Sequence, residues 1–219
     1  MSTAPESRAP LTRERIVAAA LAIVDEQGPE ALSMRRLGAV LGVEAMSLYK
    51  HVEGKEAILD GIRALLIEDF AARLPRDPLG DWREDLAAFA RAYRAVGRDH
   101  PQAFPLLARG PGRAYVVGAG IAEETIARLH AAGLDRESAI FAQRTIVRFV
   151  LGASLIDRAA HEAKVPVGDE ELGALAASTP LVGDLMRSMG DPATDDALFE
   201  FGLGLLLDGI AARFVPFGR

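Results

Sequence analysis

The stretch that decides the fold runs from Ser33 to Val52, "SMRRLGAVLGVEAMSLYKHV". Ser33 stands where a hydroxyl can cap a helix, and Leu37 and Leu41 follow four residues apart on one face. Gly42 then offers the left-handed backbone that stops a helix. After the short turn Gly42-Val43-Glu44, a second short helix is expected at "AMSLYKH", with Leu48 as its one obvious core residue. Val43 and Leu48 can reach back to Leu37 and Leu41, which closes a small core between the two helices. The other side chains from Ala45 to His51 are then left facing outward.

A preceding amphipathic helix clamps this pair. From Leu11 onward, Ile16, Ala19, Ala20, Ile23 and Val24 recur at three- and four-residue steps, with Thr12 as the cap and Gly28-Pro29 as the stop. Downstream, Gly54 breaks the chain and "KEAILDGIRALLIEDFAARL" predicts a longer helix with Ile58, Ile62, Leu65, Leu66 and Phe70 inward. Two short helices joined by a tight glycine turn make a helix-turn-helix, whose second helix enters the major groove of duplex DNA. Ala45, Met46 and Ser47 suit approach to base edges. Tyr49, Lys50 and His51 suit phosphates beside the groove, and Arg35, Arg36 and Lys55 add charge to the same surface. Two readings stand for Tyr49, packing against the first helix and phosphate contact, and Arg36 reads as a solvated surface residue.

Charge alone does not announce DNA. The chain is acidic, with a net charge of −6, and residues 1–60 carry seven basic and nine acidic side chains. Between 33 and 55 the sign reverses, with four basic against two acidic, so a DNA reading rests on local placement. Cysteine is absent, which removes disulfides, thiolate metal sites and cysteine nucleophiles together. The opening "MSTAPESRAP" has neither the apolar core of a signal peptide nor the basic pattern of a transit peptide, and residues 1–10 read as a disordered arm. Apolar runs such as "AAALAIV" fall short of the ~18 residues of a membrane span. A cytoplasmic protein without a membrane partner is expected.

The register "LTRERIVAAALAIVDEQGPEALSMRRLGAVLGVEAMSLYKHVEGKEAILDGI", residues 11–62, strongly resembles the DNA-binding domain of the tetracycline-repressor (TetR) family. The resemblance implies an all-α chain: a three-helix helix-turn-helix domain at 11–55, then a helical ligand-binding and dimerisation domain at 56–219. By position it implies DNA contacts from Arg35, Ala45, Met46, Ser47, Tyr49, Lys50, His51 and Lys55. It also implies a homodimer formed by the C-terminal helices, double-stranded operator DNA as partner, and an unidentified small-molecule effector.

Past the bend predicted by Pro75, Pro78 and Gly80, helical patterns recur near 82–98, 103–110, 114–132, 136–164 and 194–214. The segment between the last two is expected to hold loops with one or two short helices, and no strand signal stands out. The closing helix is apolar nearly all round, through Leu198, Phe199, Phe201, Leu203, Leu205, Leu206 and Ile210. A helix buried on one side does not need this, so a second protomer or the chain's own core must cover the surplus face. Polar residues interrupt the apolar pattern of 136–164 at Arg144, Arg148, Asp157 and His161. Together with Phe89, Tyr93, Phe104, Leu107 and Phe141 they are the candidate ligand-binding residues. The competing reading puts Arg144, Arg148 and Arg158 at the surface or at the rim of a dimer. Trp82 is expected at the bend and outside the pocket.

Tetracycline is not expected as the effector, because the resemblance puts apolar residues, Ala71 and those around Leu107, where metal-linked contacts to that drug belong. Asp157 and His161 lack a third partner at a telling spacing, and "GPGRAYVVGAG" follows no strand. No catalytic residue, metal or cofactor is therefore expected. The leading expectation is a ligand-responsive regulator, a repressor released from a palindromic operator. The alternative is a helical binding protein or enzyme that has lost DNA binding.

Overall fold

The computed structural model describes residues 10–108, 113–162, 168–188 and 191–213. The arm expected at residues 1–10 lies outside these except for Pro10. Every element among the described residues is helical. They are α1 (Arg13–Gln27), α2 (Met34–Leu41), α3 (Ala45–Leu48), α4 (Lys55–Arg73), α5 (Trp82–Asp99), α6 (Arg113–Ala131), α7 (Arg136–Glu162), α8 (Asp169–Ser178), α9 (Pro180–Ser188) and α10 (Pro192–Ala211), with 3-10 turns at Pro29–Ala31 and Phe104–Ala108. The all-α expectation holds, and two short helices occupy the segment between α7 and α10.

The chain forms two compact units. One comprises the chain up to Asp69 together with His100–Gly118, the other Phe70–Asp99 together with the chain from Ala119 onward. Both α4 and α6 contribute residues to each unit.

In the first unit the caps are those the sequence offers. Thr12 Oγ1 accepts from the Arg15 amide at 3.2 Å and starts α1; Ser33 Oγ accepts from the Arg36 amide at 3.2 Å and starts α2. Ile16, Val17, Ala20, Ile23 and Val24 of α1, Leu37 and Leu41 of α2, Leu48 of α3, and Ile58 and Ile62 of α4 are all buried. His100 adds a polar tie. Its Nδ1 lies 2.8 Å from Asp25 Oδ2 on α1, so the turn after α5 is held against the first helix.

The second unit is built on α5, α7 and α10, which pack on one another. Residues ascending α5 meet residues descending α10: Arg83 pairs with Asp208, Arg91 with Glu200, and Arg94 and Arg98 with Asp196. The two helices therefore run antiparallel. Arg94 is buried, and its charge is satisfied from three directions: Asp157 Oδ2 at 3.1 Å, the Asp195 carbonyl at 3.0 Å and Asp196 Oδ1 at 3.0 Å. Its guanidinium also lies 4.2 Å from the ring centroid of Phe199. Burying a charge is tolerable only with this degree of pairing.

By length and composition alone, α7 is long and apolar enough over Arg136–Ala159 to cross a membrane. Its inward residues Ala139, Ala142, Ile146 and Val150 are covered. Its outward face carries Phe141 and Ile156, while Leu198, Phe201 and Leu205 are the exposed large apolar residues of α10. The surplus face expected of the closing helix is thus present in the single chain. Phe149 lies over Gly202, where an added Cβ would meet the Phe149 ring at 2.8 Å.

Candidate nucleic-acid interface and ligand cavity

The outward surface of the helix-turn-helix depends on two glycines. Gly42 adopts φ 67°, ψ 35° and ends α2 in the left-handed conformation. The following amide, Val43 N–H, donates to the Gly38 carbonyl at 2.9 Å, which turns the chain back on α2. Gly38 permits that return: a Cβ there would come within 2.8 Å of the Val43 carbonyl oxygen and 3.2 Å of the Ala45 nitrogen. Sequence reading identified Gly42 and passed over Gly38.

α3 is shorter than expected. The α-helix covers Ala45–Leu48 alone, and Tyr49 to His51 form turns, because Lys50 and His51 donate three residues back, to the Ser47 and Leu48 carbonyls, at 3.4 and 2.9 Å. Leu48 and Val52 anchor the segment in the core, at 0% and 4% exposure. Met46 and Tyr49 point to solvent at 72% and 51%, so Tyr49 is not a core residue. Arg35, Lys50 and His51 are exposed, whereas Ala45, Ser47 and Lys55 are half-buried. All eight candidates belong to α2, to α3 and the turns that follow it, or to the start of α4, around the core of Leu37, Leu41 and Leu48. Such an arrangement offers small and flexible side chains to a groove, flanked by cations.

The nine candidate ligand residues are not gathered around one cavity. Phe89 and Tyr93 are buried against Phe70, with ring centroids 5.0 and 5.1 Å from it. Phe104 and Leu107 lie in the 3-10 turn, within the compact unit that contains α1 to α3. Phe141, Arg144 and Arg148 are exposed on α7, in agreement with the surface reading of the two arginines. The cause is rotation: with Ala139, Ala142, Ile146 and Val150 inward, positions 141, 144 and 148 turn outward at about 100° per residue. Asp157 is half-buried and pairs with Arg94. The His161 side chain lies outside the described residues.

A cavity does exist in the second unit, between the end of α4, the start of α5 and the second half of α6. Leu74, Pro75, Trp82, Leu86, Phe89, Ile121 and Leu129 supply its apolar walls, and Asp85, Glu124, Thr125 and Arg128 its polar ones. Trp82 was expected at the bend and outside the pocket; it is at the bend and lines the cavity. Its volume is about 70 Å³, below the ~300–1,000 Å³ of sites for drug-sized molecules, so a ring-sized ligand must widen it. Arg128 Nη1 lies 3.2 Å from Asp85 Oδ1, and Nη2 pairs with Glu124. The Glu124 hydrogen bond, with the Asp85 charge behind it, holds the Arg128 guanidinium above its ordinary value. The signal missed in the sequence is the spacing of Ile121, Glu124, Thr125, Arg128 and Leu129, which lie on one face of α6.

Among known proteins, the description "Bacterial regulatory proteins, tetR family" matches residues 16–62, and "Tetracyclin repressor-like, C-terminal domain" matches 74–214. The HTH-type transcriptional repressor DrrR1 of Streptomyces coeruleorubidus is 33% identical over 224 residues, covering 91% of this chain and 77% of that protein. A possible TetR family transcriptional regulator from Streptomyces coelicolor A3(2) superposes with a TM-score of 0.75 at 28% identity, over 91% of this chain and 98% of its own. The TetR family protein ActR of Streptomyces coelicolor, in complex with actinorhodin, superposes with a TM-score of 0.74 at 30% identity, over 93% and 98%. The two matched segments take in the helix-turn-helix at one end and the cavity-bearing helices at the other, and the chain belongs to the TetR family of bacterial transcriptional regulators.

Proposed function

We propose that the protein is a homodimeric repressor in the cytoplasm that leaves a palindromic operator when a small molecule enters its C-terminal unit. The outward presentation of Met46, Tyr49, Lys50 and His51 from a helix-turn-helix anchored by Leu48 and Val52 carries this reading. Residues 11–55 form the DNA-binding domain and 56–219 the ligand-binding and dimerisation domain. Ala45, Met46 and Ser47 address base edges, while Arg35, Tyr49, Lys50, His51 and Lys55 hold phosphates or the groove rim. None of Arg35, Lys50 and Lys55 has an ion-pair partner among the described residues, which leaves those cations available.

The exposed apolar residues of α7 and α10, Phe141, Ile156, Leu198, Phe201 and Leu205, support a two-fold four-helix interface. Such a dimer docks two recognition helices about 34–36 Å apart, one turn of duplex. The name of the relative DrrR1 supports repression, and actinorhodin bound to ActR supports a small-molecule effector. Release follows if the ligand binds more tightly to a state whose two heads cannot dock together. α6 lines the cavity at Ile121 to Leu129 and contributes its first turns to the unit that carries the recognition helix, so a ligand that displaces α6 acts on a continuous element.

Selection from a random duplex pool tests the reading. A two-fold-symmetric site should be enriched, with affinity falling steeply as salt rises. Lys55→Ala should weaken all duplexes alike and flatten the salt dependence by about one phosphate, whereas Ser47→Ala should change base preference at one position of each half-site. A pool that enriches nothing overturns the DNA reading. An effector that binds yet leaves operator affinity unchanged overturns ligand release.

A further inference from the structure

The cavity walls restrict what can enter, and the inference drawn from them rests on the ligand-responsive reading above. On one side, Trp82, Pro75 and Phe89 offer two aromatic rings and a proline ring, continued by Leu74, Leu86, Ile121 and Leu129. The other side is ionic: a single guanidinium, Arg128, is shared by the carboxylates of Asp85 and Glu124. Asp85 is also fixed from behind, since its Oδ1 accepts the Leu79 amide at 2.9 Å. One positive and two negative groups leave the wall with an excess negative charge. An anion reaching for Arg128 would have to strip Glu124 from it and would add a second uncompensated charge to an apolar recess. A cation meets the opposite situation. It neutralises the excess, its partners are already in place, and an indole face is the best aromatic surface for it.

We propose that the cavity selects planar aromatic cations, the ring lying against Trp82 and Phe89 and the positive group directed to Asp85 and Glu124. Because the cavity volume is about 70 Å³, entry displaces the Trp82 indole from its place in the wall. Trp82 is the single tryptophan of the chain, so its emission reports this site alone.

The test is a titration of the full-length protein without DNA, following Trp82 emission against N-methylquinolinium, 2-naphthoate and neutral 2-methylnaphthalene, with N-acetyltryptophanamide as the solution control. Saturable quenching by N-methylquinolinium is expected, with 2-naphthoate binding at least about tenfold more weakly. Glu124→Gln should erase most of that ratio; the Glu124 side chain is 63% exposed, so the variant keeps its fold, as circular dichroism would verify. Equal or tighter binding of 2-naphthoate, a ratio unchanged in Glu124→Gln, or quenching no more saturable than that of the free amide overturns the proposal. Because no DNA is present, loss of the cation preference leaves the operator reading standing, and a failed operator selection leaves the cation preference standing.

Discussion

At Gly38, Cβ is excluded by backbone. The atom it would meet at 2.8 Å is a carbonyl oxygen of the turn, which cannot swing aside as a flexible side chain would. Helix propensity alone makes Gly→Ala favourable by about 1 kcal/mol, while forced overpacking costs roughly 1–3 kcal/mol, so the clash wins. Gly38→Ala should therefore destabilise the protein in urea unfolding and weaken operator binding. Gly120→Ala, also within a helix but with nothing within 4 Å of the added Cβ, should be neutral or stabilising. Equal effects at the two positions would refute the packing argument. Gly42 was legible because a glycine after a helical stripe is a stop signal, whereas a glycine inside a helix carries no local mark of what approaches it. Gly61 has the same character: its missing side chain makes room for Val17, whose Cγ2 lies 2.7 Å from where a Cβ would stand.

Helix α5 is joined to α10 by a row of ion pairs, and their environments differ. Arg94 is buried and structural, while Arg91 and Glu200 meet near the surface, Nε to Oε1 at 2.9 Å and Nη2 to Oε2 at 2.7 Å. The Arg91 hydrogen bonds, opposed by desolvation and aided by the charges of Arg91 and Arg94, hold the Glu200 carboxyl below its ordinary value of 4.5. A carboxyl depressed on folding stabilises the native state fully above its unfolded value and loses that contribution as pH falls through the folded one. Stability should thus decline on acidification from about pH 4.5 downward, and Glu200→Gln should flatten that limb in urea midpoints measured across pH. An unchanged slope would remove Glu200 from the account. The ladder itself was not legible: Arg91 and Glu200 lie more than a hundred residues apart, and neither belongs to a local pattern. The amphipathic stripes of α1 and α4 were legible, because one turn of helix writes its own periodicity into the chain.

For the whole molecule, the proposed dimer rests on the outer face of α7 and α10. Phe201 is 66% exposed and Leu205 57%, while Phe199, Leu203 and Leu207 on the other side of α10 are buried. Phe201→Glu should leave the protomer folded and shift the mass in light scattering from two chains to one. Operator affinity should fall by at least about tenfold, since one head must then bind without its twin. A variant that stays dimeric would show that other faces join the protomers.

The sequence by itself determined the helical class, the three-helix head with its caps at Thr12 and Ser33, and the exposure of Met46, Lys50 and His51. Each of these depends on residues within a turn or two of one another, and the backbone's own geometry links them. Only the tertiary structure decided that α7 turns Arg144 and Arg148 outward, and that Trp82, Asp85, Glu124 and Arg128 share a cavity. Which face of a doubly apolar helix goes inward depends on the neighbours that cover it, and the wall of a cavity is assembled from segments some forty residues apart: helical spacing can mark the face of α6, but nothing local says that Trp82 and Asp85 meet it.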